Sequence, residues 1–179
     1  MPTVLGFDLE TTGLSAESGH RIIEFAGIVH DLHTGKALGK YEQRIDPKRS
    51  IDPKAQAVHK IALEDLRGMP VWADVAPKIA KLFGRVDMVV AHNGIGFDLP
   101  FLLVEMDRVG VELPDVEICD TMVSCKWATP SLKELANSLG FEYDQEKAHS
   151  ALYDVALMMK CFFKARRDYP GFLITPLDK

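Results

Sequence analysis

The sequence predicts an α/β fold in which helices cover both faces of a mixed β-sheet. Three extended segments come first, and a turn at residues 33–36 joins the second to the third, which predicts an antiparallel meander. Helical and extended patterns then alternate, as in parallel sheets with helical crossovers. The chain has 179 residues, 47% of them hydrophobic, enough for one core. We therefore predict a single domain at residues 1–170 and a short tail at 171–179.

Five strands are predicted from runs of apolar, β-branched and aromatic residues. The first begins with the apolar run 4–7 and continues through Glu10, and the fourth is apolar enough to be buried on both faces. Asp-Pro pairs at 46–47 and 52–53 interrupt the strand pattern and predict a loop after the third strand. The other four strands are predicted at residues 21–29, 38–45, 87–92 and 116–119.

Helices are predicted from apolar residues at helical spacing and from residues that favour helix ends. Pro53 suits a first helical position, and Asp120 with Thr121 predicts a cap after the fifth strand. Ser131 and Glu134 have the spacing of a capping box, and Gly140 predicts the end of that helix. The remaining helices are predicted at residues 53–59, 63–66, 71–83, 97–109 and 148–168.

The charge balance argues against a broad basic surface for nucleic acid. Lysine and arginine number 21 against 26 acidic residues, for a net charge of −5, although bound metals could supply positive charge at a site. Three cysteines without a C-x-x-C pair suit buried thiols in a reducing compartment. No signal peptide and no apolar run near the ~20 residues of a membrane span is visible, so we expect a soluble, cytoplasmic protein.

Two acids stand together at the end of the first strand. Asp8 and Glu10 are two positions apart, so both side chains point to one face of the strand. Their repulsion is unfavourable unless a cation or a proton relieves it, and a divalent cation with oxygen ligands would do so. Two interpretations are open for this stretch alone: a metal site, or a strand end whose acids point to water.

Three further residues could complete a site, although each also has a structural explanation. Asp98 falls in the first turn of a predicted helix, where an acid complements the helix dipole. His149 and Asp154 fall at the start of the last predicted helix, and both face one cleft only if its first turn is irregular. Four carboxylates and one histidine suit two Mg²⁺ or Mn²⁺ ions about 3.5–4 Å apart, with the histidine as general base. Zinc and P-loop motifs are absent.

Three segments resemble, in order and spacing, the motifs of the DEDD exonucleases in their histidine-bearing, DnaQ-like form. They are FDLETTGL at residues 7–14, HNGIGFD at 92–98 and AHSALYD at 148–154. The segment VHKI at 58–61, followed by Met69-Pro70, is also similar to one found in bacterial proofreading subunits. The resemblance covers about residues 3–165, nearly the whole chain. It implies a ribonuclease-H-like fold with a mixed five-stranded sheet flanked by helices.

The resemblance also implies an activity and a role for each motif residue. The expected activity is 3′→5′ removal of nucleoside 5′-monophosphates from DNA ends, of the proofreading or repair type. The metal ligands would be Asp8, Glu10, Asp98 and Asp154, with Asp8 bridging two ions, Asp98 acting through water, and His149 deprotonating the attacking water. The residues expected at the 3′-terminal nucleotide are Thr11, Thr12, Leu14, His59, Asn93 and Phe97, with His59 the weakest candidate.

Polymer and partner remain open in the sequence. RNA trimming is an alternative activity, although the basic groups found in the sequence, at residues 78–81 and 164–167, suit solvated helix faces. Because the chain ends soon after its last predicted helix, we expect a transient polymerase partner rather than a stable one. An inactive nucleic-acid-binding module would be expected to lack a motif carboxylate, and a plain cation-binding domain would not explain Leu14 and Phe97 beside the acids.

Overall fold

The computed structural model describes residues 1–125 and 131–169 and contains a five-stranded mixed sheet. In space the strands are ordered β3-β2-β1-β4-β5. β1 and β2 are antiparallel, as are β2 and β3, while β4 runs parallel to both β1 and β5. The predicted meander and mixed sheet are thus confirmed. The strands are β1 (Thr3–Thr11), β2 (Ile22–Asp31), β3 (Ala37–Arg44), β4 (Met88–Ala91) and β5 (Glu117–Asp120).

Seven helices are found within the described residues. The cap predicted at Ser131 is present, since its side chain accepts from the Glu134 N–H. Asp52, which the sequence indicated only as part of a loop, also caps a helix by accepting from the Lys54 N–H. Asp120 caps the helix after β5. The helices are α1 (Pro53–His59), α2 (Leu63–Leu66), α3 (Trp72–Phe83), α4 (Asp98–Arg108), α5 (Thr121–Ser124), α6 (Leu132–Ser138) and α7 (Ala151–Asp168).

The last helix begins later than the sequence pattern predicts. Residues 148–150 lie outside α7, which starts at Ala151, and His149 adopts a left-handed backbone conformation with φ +62°. A helix cannot continue through that conformation, and such a turn is uncommon for a residue other than glycine. The predicted position of His149 within the helix is therefore wrong: it lies in an irregular turn just before α7, from which its backbone N–H reaches Asp154. The predicted tail, 171–179, and Pro170 lie outside the described residues.

Helices cover both faces of the sheet, as predicted. On β1, Leu5 and Phe7 pack on one face with residues of α3 and α4, while Val4 packs on the opposite face with α6 and α7. Gly6 also lies on the α7 face, where a Cβ atom would overlap the side chain of Met159. The absence of a side chain at Gly6 thus lets α7 approach the central strand closely.

Two other expectations concern cysteines and membranes. The three cysteines, all within the described residues, are buried and form no disulfide. Burial raises the pKa of the Cys125 and Cys161 thiols to about 12, so both are protonated and unreactive at neutral pH. Within residues 1–125 and 131–169, none of the helices combines the length and the apolar character that crossing a bilayer requires.

Candidate active site

β1 carries two acids to the face of the sheet that α7 covers. Side chains alternate along the strand, so Asp8 and Glu10 share a face with Val4 and Gly6, opposite Leu9. Apolar packing on the other face holds the strand in this register, because a shift of one residue would turn Asp8 and Glu10 into the apolar core beneath α3 and α4. The predicted pairing of the two acids on one face is therefore a consequence of how the strand is buried.

Asp154 joins these acids from the first turn of α7. A carboxylate oxygen from each of Asp8, Glu10 and Asp154 lies within 4.8 Å of the other two. The Oδ1 atom of Asp154 is buried and has no hydrogen-bond partner among the described residues. A buried acceptor without a partner is unfavourable, and a cation would satisfy it. The three carboxylates thus fit a divalent cation, by donor type and by spacing.

Asp98 lies beside this group and not within it. Its side chain is 3% exposed, and its Oδ1 accepts the backbone N–H of Leu9 at 3.2 Å. That amide lies between Asp8 and Glu10 in the chain, so the hydrogen bond ties the start of α4 to the strand that carries both acids. Asp98 is not one of the three residues whose oxygens converge within 4.8 Å. A role through water, as expected from the resemblance, is compatible with this position.

Burial raises the pKa of all four acids, and the negative charges of neighbouring cluster acids add to this at Asp8 and Glu10. Burial is the largest cause for each, and it raises the pKa of Glu10 to about 9, of Asp98 to about 7 and of Asp154 to about 6. The pKa of Asp8 is held well above its usual range by burial and then by the negative charges of Asp98 and Glu10. Without a cation, the cluster would therefore retain protons at neutral pH.

His149 stands at the exposed edge of the cluster. Its backbone N–H donates to Asp154 Oδ2 at 3.1 Å, which fixes the loop just before α7. The residue is exposed and borders an open cleft of about 580 Å³. The basic residues Arg44, Lys60 and Lys147 line the same cleft, as do Asp65 and Glu146. These basic residues come from three separate segments, and two of them are paired with acids, Arg44 with Glu24 and Lys147 with Asp144.

A second cavity, of about 410 Å³, has Glu10 among its lining residues. Four of the residues expected at the terminal nucleotide line it: Thr11, Leu14, His59 and Phe97. Leu14 is 87% exposed, so most of its apolar side chain is accessible to a ligand. His59 lines both cavities, and its buried Nε2 has no hydrogen-bond partner within the described part of the chain. An apolar cavity with a few polar groups beside an acid cluster is typical of a ligand site.

Thr12 and Asn93 do not line this cavity. The Thr12 side chain is fully buried, and its hydroxyl accepts the Arg21 N–H at 2.9 Å. Asn93 adopts φ +64°, and its carbonyl accepts the N–H groups of Gly96 and Phe97. Both residues therefore shape the loops that bear Leu14 and Phe97, while their side chains lie apart from the cavity.

Two acids that sequence reasoning missed support the site. Asp120 is buried, and its carboxylate accepts the N–H groups of Asn93 and Ile95, which holds the loop before α4. Glu24 on β2 is buried directly opposite Glu10. A charged residue inside the otherwise apolar second strand was the signal for Glu24. Asp120 was identified only as a helix cap, because its second task depends on β4 and β5 being neighbours.

Comparisons with known proteins identify the family of this chain. The family model described as RNase_T, Exonuclease matches residues 5–162. A PolC-type DNA polymerase III from Mycoplasma pneumoniae is 32% identical over 99% of this chain, and the 3′-5′ exonuclease DinG of Bacillus subtilis is 31% identical over 77% of it. This chain spans only 12% and 15% of those two proteins. The DNA polymerase III subunit epsilon of Rickettsia typhi is 31% identical over 87% of this chain and 70% of its own length.

The fold has a close counterpart among solved structures. The zinc-bound complex of Escherichia coli exonuclease I with single-stranded DNA matches 96% of this chain and 42% of that protein, with a TM-score of 0.85 and 19% sequence identity. At this level of identity the match establishes the fold alone. The ribonuclease-H-like architecture predicted from the motifs is thereby confirmed.

Proposed function

Because this chain belongs to the RNase_T exonuclease family, we propose that it is a metal-dependent 3′→5′ exonuclease that removes nucleoside 5′-monophosphates from DNA ends. One observation carries the proposal: three carboxylates converge within 4.8 Å beside an apolar cavity and an exposed histidine. An inactive module would have no need to bury so many mutually repelling acids at one place.

Divalent cations, Mg²⁺ or Mn²⁺, would be held by Asp8, Glu10 and Asp154. Oxygen ligands of this kind suit both ions, and the partnerless Asp154 Oδ1 provides an acceptor already in position. When bound, a pair of such ions would stabilise the negative charge that develops on the attacking and leaving oxygens of the phosphate. Asp98 would act indirectly: it would fix the backbone between Asp8 and Glu10 and orient water.

His149 would serve as the general base that takes a proton from the attacking water. An imidazole is suited to this at neutral pH, since its ordinary pKa lies close to the working pH. Its loop is fixed through the backbone N–H bonded to Asp154, which leaves the ring to the reaction. The exposed position at the cleft would allow the proton to pass on to solvent.

The 3′-terminal nucleotide would occupy the 410 Å³ cavity beside Glu10. Leu14 and Phe97 supply apolar surface on which a base can pack, and Thr11 and His59 supply the polar edge. Thr12 and Asn93 would contribute by holding the loops of this cavity. The preceding backbone phosphates would follow the cleft beside His149, where Lys60 offers a positive charge. Arg44 and Lys147 line the same cleft and are paired with Glu24 and Asp144.

DNA is the favoured polymer, with RNA as the alternative. The relatives named DNA polymerase III epsilon and PolC-type polymerase point to a replication or repair role, and a transient polymerase partner fits this role. Exonuclease I, which shares this fold, was solved in complex with single-stranded DNA, and an unpaired strand is the substrate form that we propose for this chain. RNA requires the same chemistry, so only a direct comparison of the two polymers distinguishes them.

The test is digestion of 5′-end-labelled single strands of DNA and of RNA with Mg²⁺, Mn²⁺ or EDTA. A ladder that shortens from the 3′ end, requires the metal and is absent with the Asp8→Ala variant is expected. The ratio of the DNA and RNA rates identifies the preferred polymer. Cleavage of a circular strand at the rate of a linear one, or equal cleavage in EDTA, would contradict the proposal.

A further inference from the structure

A row of three charged residues crosses the sheet beside the acid cluster. Glu10 on β1 lies opposite Glu24 on β2, and Glu24 lies opposite Arg44 on β3. Residues directly opposite each other in antiparallel strands point to the same face, so all three lie on the face that α7 covers. The row thus runs from the candidate metal ligands to Arg44, which lines the cleft of about 580 Å³ beside His149.

Glu24 differs from the candidate ligands because both of its oxygens are engaged by protein groups. Its side chain is buried, and its Oε1 accepts from the Arg44 guanidinium at 3.1 Å. Its Oε2 accepts from the backbone N–H of Ala151 at 3.4 Å. A buried carboxylate is tolerated when paired and hydrogen-bonded in this manner. Glu24 is not one of the three residues whose oxygens converge for a cation.

The bond to Ala151 falls at the point where α7 begins. Ala151 is the first residue of α7, and the preceding Ser150, though at the capping position, makes no side-chain capping hydrogen bond within the described structure. The first amides of a helix need acceptors from outside the helix, and a negative charge there also complements the helix dipole. Glu24 supplies this acceptor from a strand 127 residues earlier in the chain.

The turn that Glu24 holds contains two residues of the proposed chemistry. His149 lies two residues before Ala151 and donates its N–H to Asp154, whose own N–H donates to the Ser150 carbonyl. A movement of Ala151 relative to the sheet would therefore move His149 and Asp154 relative to Asp8 and Glu10. The side chain of Glu24 thus joins the strand opposite Glu10 to the first amide of α7.

We propose that Glu24 is a positioning residue that anchors the first turn of α7, and with it His149 and Asp154, to the strands that carry Asp8 and Glu10. This inference rests on the proposed exonuclease function, in which those four residues act together. Arg44 has a supporting part, because its guanidinium balances the buried charge of Glu24 and keeps one carboxylate oxygen turned toward β3.

The experiment compares Glu24→Ala with Glu24→Gln. Glutamine retains an oxygen that can accept from the Ala151 N–H but carries no charge. If Glu24 anchors α7, Glu24→Ala should lower kcat on single-stranded DNA by about 10–100-fold, the usual effect of losing a residue that orients metal ligands. The change in KM should be far smaller. Glu24→Gln should recover most of that loss. Amide hydrogen exchange at Ala151 and His149 should speed up in the alanine variant and stay near wild type in the glutamine variant.

Asp31→Asn is the matched control. Asp31 is also a buried carboxylate on β2, bonded to the N–H groups of His33 and Thr34 at the end of the strand far from the cluster. This variant should leave kcat and the exchange at Ala151 unchanged, whatever its effect on thermal stability.

Three results would overturn the proposal. An equal loss of kcat in both Glu24 variants, with exchange at Ala151 near wild type in Glu24→Gln, would mean that the charge itself is required, as for a ligand. Reduced thermal stability with unchanged kcat would mean a purely structural ion pair. Unchanged amide exchange at Ala151 in Glu24→Ala would show that Glu24 does not anchor α7. This measurement does not depend on activity, so failure of the anchor and failure of the proposed function are distinguishable.

Discussion

The backbone N–H of His149 donates a hydrogen bond to Oδ2 of Asp154, at 3.1 Å. The other oxygen of Asp154, Oδ1, is buried without a hydrogen-bond partner in the described chain, and Asp154 is one of the three converging acids. One carboxylate therefore holds the loop of the proposed general base with one oxygen and can hold a cation with the other. Because the contact to His149 uses the main chain, the roles of the two residues can be separated by mutation.

His149→Ala should lower the rate of the chemical step by roughly 10²–10⁴-fold, the usual contribution of a general base. Mg²⁺ affinity should remain near wild type, because the backbone N–H that meets Asp154 is unchanged. Asp154→Ala should lose both rate and metal affinity. Single-turnover rates and calorimetric metal titrations on the two variants make the comparison.

Asp154→Asn serves as the control for loop disorder, since its amide oxygen can still accept from His149 while its charge is gone. It should lose metal affinity and keep slow exchange of the His149 amide. Loss of metal binding in His149→Ala as complete as in Asp154→Ala would show that the general-base assignment is wrong.

Asp8→Ala should abolish turnover and weaken metal binding, because Asp8 has the most crowded position among the acids. The negative charges of Asp98, Glu10, Asp154 and Glu24 all act to raise its pKa. Removing a buried group under such repulsion should also raise the melting temperature of the metal-free protein or leave it unchanged. Calorimetric melting in EDTA and exonuclease assays in Mg²⁺ measure the two effects. Near-normal Mg²⁺-dependent cleavage by this variant would refute the metal site.

The metal-free protein should lose stability as pH rises from about 6 to about 9. Glu10 has a folded-state pKa of about 9 against an ordinary value of 4.5, and Asp98 about 7 against 3.8. The folded chain thus holds protons that the unfolded chain has released, so the free energy of unfolding falls with pH across this interval. The stabilising contribution is complete below the ordinary values and lost above the folded ones.

Melting temperatures in EDTA over this pH range test the expectation. Saturating Mg²⁺ should flatten the slope, since a bound cation favours the ionised acids. Glu10→Gln should flatten its upper part, above the pKa of Asp98. A melting temperature in EDTA that rises with pH through this interval would contradict the raised pKa values.

A frayed or mismatched 3′ end should be digested faster than a blunt, fully paired end. The cavity beside Leu14 and Phe97 has room for one unpaired terminus, and releasing a base from a duplex costs a few kcal/mol. Leu14→Ala should raise KM with little change in stability, because the side chain is exposed. Initial rates on matched and mismatched duplexes give the ratio, and Leu38→Ala, also exposed but absent from this cavity, is the control. Equal rates on both ends would argue against a single-strand cavity.

Gly94→Ala should destabilise the loop that leads to Asp98, at a cost of about 1–3 kcal/mol for inserting a methyl group into packed surroundings. A Cβ atom at Gly94 would overlap the Cβ of Ala91, which cannot turn away because it is fixed to the strand. Gly39→Ala is the matched control, since a Cβ there meets nothing within 4 Å. Urea unfolding of both variants measures the difference, and equal stability of the two would mean that this loop is not tightly packed.

Local signals in the sequence determined most of the elements and all three motifs. Alternation along β1 was enough to place Asp8 and Glu10 on one face, because the geometry of a strand depends only on neighbouring residues. The predicted helix caps at Asp120 and Ser131 were likewise confirmed as local features, each made by a side chain and an amide two or three residues away.

Contacts between distant segments were decided only by the tertiary structure. The left-handed turn at His149 could not be read from its neighbours, because this conformation is disfavoured for an isolated residue and is observed here together with the bonds to Asp154 and Glu24 around it. The burial of Thr12, the convergence of Asp154 on β1 and the bond from Glu24 to Ala151 also depend on which strands and helices are neighbours. Sequence periodicity describes which face of an element is buried, whereas the partner of that face is set by packing across the whole domain.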